Sequence, residues 1–316
     1  MGMLVDGKWV ESPIHKNYGV KEKVSKIELK NYLTPSLKDR LKSHPDEFIL
    51  LASKSCPWSH RVLITVVLKG FSGYLPIHYA GGPRVKGYAP LPKGPLSQDF
   101  GTDIRHVHQL YSLSDPNYTG RSTVPILWDR RQNKIISNES DEICRLLDSL
   151  GGTGQPTLLP NQAKAEILSL NDDLTRSLFQ AVYKAGLAEN QSTYEHAYWS
   201  VFNKLDYLEE KLQQNRFLLG NFMTLSDIYL FTCLVRFDAV YYTHFRCSYK
   251  RLIDYPNLWA YSRRLYQMPG ISQTVDFKVI REGYYLNDGN NNPHKIVGLQ
   301  PAANWLQPIS TLQTAS

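Results

Sequence analysis

Cys56 stands between the apolar run EFILLAS (47–53) and SCPWSHRVLITVVLKG, whose proline suits the first turn of a helix and whose closing Gly70 suits its stop. A thiol at a helix start faces unpaired backbone amides and the positive end of the helix dipole, and both favour the thiolate. Ser59 occupies the place where a second cysteine would complete a C-x-x-C pair. A mixed disulfide formed on Cys56 therefore has to be resolved by an outside thiol, or by a distant cysteine brought close by the fold. Cys144, Cys233 and Cys247 read as buried filler. His60 is one turn further on, but side chains lean toward the helix N-terminus and Cys56 is at the cap itself, so packing is the better reading for the imidazole. Arg61 is open between an acidic partner and solvent.

Two further segments carry groups that suit a small peptide-like ligand. In RSTVPILWD, Pro125 marks the entry of a strand, since a proline inside a central strand would remove a ladder donor. A cis Val124–Pro125 bond would offer the Val124 backbone outward, although trans is the commoner state of an X-Pro bond. In SNESDEICRLL, the first-turn amides and the Ser140 hydroxyl could hold a carboxylate while Glu139 accepts from an ammonium group, a set that fits a zwitterionic amino-acid end. Ordinary capping by Ser137 or Asn138 explains the same letters.

Tyrosine accounts for 20 of the 316 residues, with Tyr183, Tyr194, Tyr198, Tyr241, Tyr242, Tyr284 and Tyr285 all in the later half. These phenols either pack with their hydroxyls at the surface or gather into an aromatic site that stacks on a ring and hydrogen-bonds a phenolic oxygen. GGTGQPT lacks the Lys-Ser/Thr of a phosphate loop, and His106 and His108 have no third ligand nearby in sequence, so neither phosphate binding nor a metal is expected.

The elements that must position these groups fall into two blocks. Residues 1–44 read as a polar arm. From 45 to 150 the order is strand (EFILLAS), helix, strand (YLPIHY), an irregular Gly- and Pro-rich stretch over 80–101, strand (STVPILWD), a polar turn at 129–133, strand (KIIS) and the helix of SNESDEICRLLDSL. That is a compact α/β unit. GGTGQPTLLP (151–160) breaks the pattern as a linker, and residues 161–275 change to long helical periodicities. Within them Thr224 and Asp227 predict a capping box at the head of a buried helix. KVIREGYYLNDGNNNPHKIVGLQP reads as an ordered tail (276–316) too rich in Asn, Gly and Pro for a helix, with Tyr284, Tyr285, Ile296 and Val297 to dock it.

The net charge of +7 leans toward small anions, but the cations are scattered and no nucleic-acid module is recognisable. No run approaches the roughly 20 apolar residues of a membrane span, and no signal-like stretch opens the chain. Four widely spaced cysteines fit a reducing compartment, so a cytoplasmic protein is expected.

At SKSCPWSHRVLITVVLKG, QLYSLSDPNYTGRSTVPILWD and IISNESDEI the chain resembles the glutathionyl-hydroquinone reductases, the Xi-class, omega-like branch of the glutathione transferases; FQAVYKAGLA and the later YY and NPHKIV elements extend the likeness over most of its length. The resemblance implies a glutathione transferase fold: a thioredoxin-like α/β N-terminal domain, then an all-α domain, in a homodimer. It implies an enzyme that uses glutathione as co-substrate, without a metal, to reduce aromatic glutathionyl-hydroquinones. Cys56 takes the place of the catalytic cysteine; Val124 and Pro125 that of a cis-proline clamp on the glutathione cysteine; Glu139 and Ser140 that of the pair holding the glutamyl end; Arg121 that of a glutathione-binding position. Tyr183 and one of Tyr284 and Tyr285 take the substrate-side tyrosines, with the tail reaching the active site. Where the family carries a G-W-x-F tryptophan that contacts glutathione, this chain has YAGGPRVKGYAPLPKGPLSQDFG, in which Tyr88 is the available aromatic substitute. The family's F-x-R-x-x-S-x-F-R arm is replaced by YGVKEKVSKIELKNYL, and GYY stands where HYY is commoner. A general glutathione-dependent thiol transferase or dehydroascorbate reductase uses the same cysteine logic, and a binding protein without turnover is the third reading.

Overall fold

The computed structural model of the chain describes residues 2–11, 27, 33–91, 97–152, 154–288 and 291–309. Two compact units divide it, Met1–Gln155 and Pro156–Ser316.

The first unit opens with a hairpin, β1 (Met3–Val5) and β2 (Lys8–Val10), then α1 (Pro35–Ser43). The arm is thus not featureless at either end. Asp6 and Gly7 both take positive φ, the geometry of the two-residue turn that an Asp-Gly pair favours, and β1 goes on to bridge Gly120 through Leu4. Most of YGVKEKVSKIELKNYL lies outside the described residues.

Next come β3 (Phe48–Ala52), α2 (Pro57–Leu68), β4 (Ile77–Gly81), β5 (Ala89–Leu91), α3 (Ser97–Phe100), α4 (His108–Ser114), β6 (Ile126–Asp129), β7 (Lys134–Ser137) and α5 (Ser140–Leu150). The sheet order is β5-β4-β3-β6-β7, with β3 parallel to β4 and every other neighbouring pair antiparallel. Buried along its whole length, β3 is the centre of the sheet, as its unbroken apolar run requires. The unit is thioredoxin-like. α2 ends as Gly70 predicts: Gly70 adopts φ +68°, its amide donates to Val67 O, and the Phe71 amide donates to Val66 O. α2 and α5 are joined by the Thr65 hydroxyl, 3.3 Å from Cys144 Sγ, and by the buried Lys69–Asp148 pair at 3.1 Å.

Three corrections apply to the sequence reading of this unit. The stretch 80–101 is not wholly irregular, because β5 pairs with β4 at the sheet edge, where Pro90 costs no internal ladder bond. The strand expected from YLPIHY starts only at Ile77. And α4 is an element the strand-and-turn reading passed over, although Val107, Leu110 and Tyr111, all buried, have helical spacing.

The second unit is all helical: α6 (Lys164–Leu174), α7 (Gln180–Gly186), α8 (Gln191–Gln214), α9 (Leu225–Arg236), α10 (Pro256–Tyr266), α11 (Ile271–Thr274) and α12 (Phe277–Tyr285). Thr224 and Asp227 form the expected capping box of α9, with Asp227 Oδ2 accepting from the Thr224 amide at 2.7 Å. Two π-helical stretches, Thr175–Phe179 and Phe237–Tyr241, interrupt the regular turns. α12 corrects the tail: the Asn and Pro residues that break helices lie beyond Tyr285, while Asp276 caps the start by accepting from the Val279 amide at 3.0 Å. The tail docks only in part as expected: Tyr284 and Tyr285 are buried. Ile296 is 69% exposed, and the anchors are Trp305, packed on Trp259 at 4.8 Å, and Arg263, which donates to Gln307 O and Pro308 O.

Candidate active site

Cys56 is the N-cap of α2, in extended backbone conformation, 8% exposed and without a side-chain capping bond. Its sulfur lies 3.6 Å from Val124 O, the residue whose bond to Pro125 is cis. The adjacent strand entry thus brings Val124 to the sulfur across 68 residues of sequence. His60 and Ser59 are fully buried, and the His60 amide donates to Cys56 O, so both belong to the body of α2. Arg61 is buried as well, which removes the solvent alternative.

Burial pushes Cys144 and Cys247 up to about 12, so neither is a thiolate near neutrality. None of the four cysteines forms a disulfide.

Glu139 is the N-cap of α5, and Ser140 begins the helix. Like Cys56, Glu139 makes no side-chain capping bond, so the first-turn amides of α2 and α5 are both left by their caps to accept an anion. The ordinary capping roles fall elsewhere: Ser137 Oγ accepts from the Glu139 amide at 3.1 Å and donates to Glu142 Oε2 at 2.9 Å.

A residue missed by the sequence reading ties the two loops together. The Tyr111 hydroxyl on α4 donates to Thr123 O at 2.9 Å, and receives the Thr123 amide at 3.2 Å and Asn138 Nδ2 at 3.1 Å. One buried phenol therefore holds the residue before Val124 and the residue before Glu139. Burial pushes Tyr111 up to about 12, so it keeps its proton. Its helical spacing of four from Val107 was the available signal; the polar partners could not be read, being 12 and 27 positions away.

Arg121 follows Gly120, which is paired with Leu4 of the hairpin, and its carbonyl accepts from the Tyr118 hydroxyl at 3.1 Å. Tyr88 and Trp9 pack against the apolar cluster that includes Cys56, Val124 and Ile126. An aromatic is thus present from each of two segments, the hairpin and the stretch that lacks tryptophan. Arg84 lies over the Tyr88 ring at 4.3 Å.

In the second unit the tyrosines sort themselves. The Tyr183 hydroxyl on α7 is 2.7 Å from that of Tyr284 on α12, and Tyr241 reaches the same Tyr284 oxygen at 3.2 Å. Tyr285 does not join them: its hydroxyl bonds Thr243 and its ring lies on His244, which pairs with Asp288 at 2.8 Å. Adjacent helical residues point about 100° apart, so only one of the pair could face Tyr183. Among the described residues, no three His, Cys, Asp or Glu side chains are grouped to hold a metal ion, and no helix is long and apolar enough to cross a membrane.

A thioredoxin-like unit with a cysteine at a helix start beside a cis-proline, followed by an all-helical unit, is the architecture of the glutathione transferases. Family models for the glutathione S-transferase N-terminal domain and C-terminal domain match residues 55–150 and 191–264. Glutathionyl-hydroquinone reductase YqjG of Escherichia coli is 37% identical over 95% of each chain, and glutathionyl-hydroquinone reductase PcpF of Sphingobium chlorophenolicum is 34% identical over the full length of both. Among solved structures, the Xi-class glutathione transferase of Natrialba magadii superposes with a TM-score of 0.81 at 30% identity, covering 98% of this chain and 96% of that one. The glutathione-bound structure of YqjG gives 0.77 at 36% identity, covering 84% and 88%. The chain belongs to the glutathionyl-hydroquinone reductase family, the Xi class of glutathione transferases, and is an enzyme of the glutathione-dependent oxidoreductase and transferase type.

Proposed function

We propose that the protein reduces glutathionyl-hydroquinones to hydroquinones at the expense of glutathione, through a mixed disulfide on Cys56. The observation that carries this reading is the site in the first unit: a sulfur at the start of α2 next to the Val124 backbone, with the start of α5 tied to the same strand entry by Tyr111. Those groups suit glutathione, whose cysteinyl amide pairs with the Val124 backbone while Glu139, Ser140 and the first-turn amides of α5 take its zwitterionic glutamyl end; Arg121 adds a cation for a carboxylate. Tyr88 serves as the aromatic contact in place of tryptophan.

In the first step the Cys56 thiolate attacks the sulfur bonded to the hydroquinone ring. A Cys56–glutathione disulfide forms, the C–S bond breaks, and its electron pair stays on the ring carbon, which takes a proton from a tyrosine hydroxyl, Tyr183 or Tyr284. A second glutathione then attacks the disulfide, releasing oxidised glutathione and the Cys56 thiolate, while its thiol proton restores the phenol. The sum is one glutathionyl-hydroquinone and one glutathione giving one hydroquinone and one oxidised glutathione. No metal enters this sequence. The ring is held by Tyr183 and Tyr284 in the helical unit, with Tyr285 in support of the tail. The wide spacing of the four cysteines suits a reducing compartment, and we assign the enzyme to the cytoplasm, as a homodimer, acting on small molecules and not on nucleic acid or membranes.

The absence of the family's tryptophan in YAGGPRVKGYAPLPKGPLSQDFG favours a second reading, a general thiol transferase or dehydroascorbate reductase using the same Cys56. The test is a comparison of turnover on glutathionyl-hydroquinone, on a small glutathione mixed disulfide and on dehydroascorbate. The first reading expects the hydroquinone conjugate to be preferred; turnover confined to the disulfide or dehydroascorbate would replace it with the second.

A further inference from the structure

Tyr241 is one tyrosine among many in the sequence, and in the structure its hydroxyl stands beside that of Tyr284. Its side chain is fully buried, stacked on Phe245 at 5.6 Å and set edge-on to Phe237 at 6.3 Å. Among the described residues its hydroxyl has one hydrogen-bonding partner, the Tyr284 oxygen. Burial, with the neighbouring Tyr284 and Tyr183 adding to it, holds the Tyr241 phenol well above its ordinary range, so its proton stays in place. A buried hydroxyl with a permanent proton and a single partner donates to that partner, because leaving the proton unpaired would forfeit a full hydrogen bond. Tyr284 is accordingly the acceptor, and its own proton is directed onward, in the neighbourhood of Tyr183.

The local backbone is arranged to this end. The π-helical stretch Phe237–Tyr241 finishes on Tyr241, and the stretch Thr175–Phe179 immediately precedes the helix that carries Tyr183. A widened turn takes up one extra residue and so rotates the side chains that follow by about 100° relative to a regular helix. Two of the three phenols thus owe their direction to an interruption of the helix.

We propose that Tyr241 is a positioning residue for the departure of the hydroquinone: it donates to Tyr284, orients that hydroxyl, and stabilises the phenolate left when the Tyr183–Tyr284 pair gives a proton to the ring carbon. This deepens the reading above and rests on it. The proton balance is unchanged, since the thiol proton of the second glutathione restores the phenol, and Tyr241 never releases its own.

The experiment is a double-mutant cycle on the full chain with glutathionyl-p-hydroquinone as the probe, comparing the parent, Y241F, Y284F and Y241F/Y284F. Y241F is expected to lower kcat by about 5- to 30-fold with KM changed by less than about twofold, the size of effect of one donor polarising a catalytic hydroxyl. In the Y284F background the same substitution should lower kcat by less than about twofold, because Tyr241 acts only through Tyr284. A kcat for Y241F within twofold of the parent overturns the proposal. So does an undiminished Y241F effect in the Y284F background, the outcome of a merely structural or folding role. A parent with no turnover of the conjugate overturns the functional reading itself, and is seen before any variant is made.

Discussion

Around Cys56 the candidate groups are presented by backbone and by helix starts, whereas around Tyr284 they are presented by the far ends of side chains on separate helices. In the first region α2 and α5 begin at the residues of interest, and one phenol, Tyr111, braces the intervening loops. In the second, the hydroxyls of Tyr183 on α7 and Tyr241 in a π-helical stretch both reach the Tyr284 oxygen on α12, spanning 101 positions of sequence. A site for a constant ligand can be built from amides, whose geometry is inherited from secondary structure. Hydroxyls at the tips of long side chains meet only where the helices bring them, and one π-helical stretch precedes the helix of Tyr183 while another ends on Tyr241.

This contrast can be broken most decisively at Cys56. C56S should retain its fold and lose at least about 100-fold in turnover on either the hydroquinone conjugate or a mixed disulfide, because the alcohol is not ionised near neutrality. Residual activity above a few per cent would remove Cys56 from its role. Replacing Cys144, Cys233 and Cys247 together should spare turnover, and its loss in a folded protein would point to an internal resolving thiol.

Y183F sharpens the comparison by separating the two regions. It should lower turnover on the hydroquinone conjugate by about 10- to 1000-fold, the span of general-acid or oxyanion assistance, and affect a simple mixed disulfide far less, since no carbon is protonated there. Equal losses on both substrates would assign Tyr183 to architecture or to Cys56.

Y111F tests whether one phenol braces both loops. It removes one hydrogen bond from Asn138 Nδ2, which keeps Thr123 Oγ1 at 3.5 Å, and the phenol's bonds to the Thr123 backbone, so a stability loss of about 1–3 kcal/mol is expected by denaturant titration, together with a raised KM for glutathione. A stability loss without a change in KM would show that the brace serves folding alone.

The smallest effect is expected at Glu139. E139Q should raise the glutathione KM by about 3- to 10-fold with kcat at saturation within about twofold, as for an ionic contact made equally in ground and transition states. A fall in kcat at unchanged KM would place Glu139 in the chemistry instead.

Much of the first region was legible in the chain. EFILLAS, the Pro57 start, the Gly70 stop, the turn at 129–133 and the helix at Ser140 all depend on neighbours within a few residues, and each element formed where its local chemistry required. The hairpin at Asp6-Gly7 and α4 carried equally local signals that a search for buried strands overlooked. α12 was obscured because helix breakers just beyond Tyr285 were averaged with good helical residues before it.

Local chemistry along the chain settles the conformation of each element and the placing of a cysteine at the start of α2, because dihedral preference, capping and apolar period act over one or two turns. Packing settles that Tyr284 and not Tyr285 meets Tyr183, that Tyr241 reaches the same Tyr284 oxygen, and that Tyr111 joins the loops before Val124 and Glu139. Those outcomes turn on hydroxyls brought within hydrogen-bond reach from distant segments, and on π-turns that shift the register of a helix face. The direction of a phenol is a property of the packed unit, because a buried hydroxyl settles wherever folding leaves it a partner.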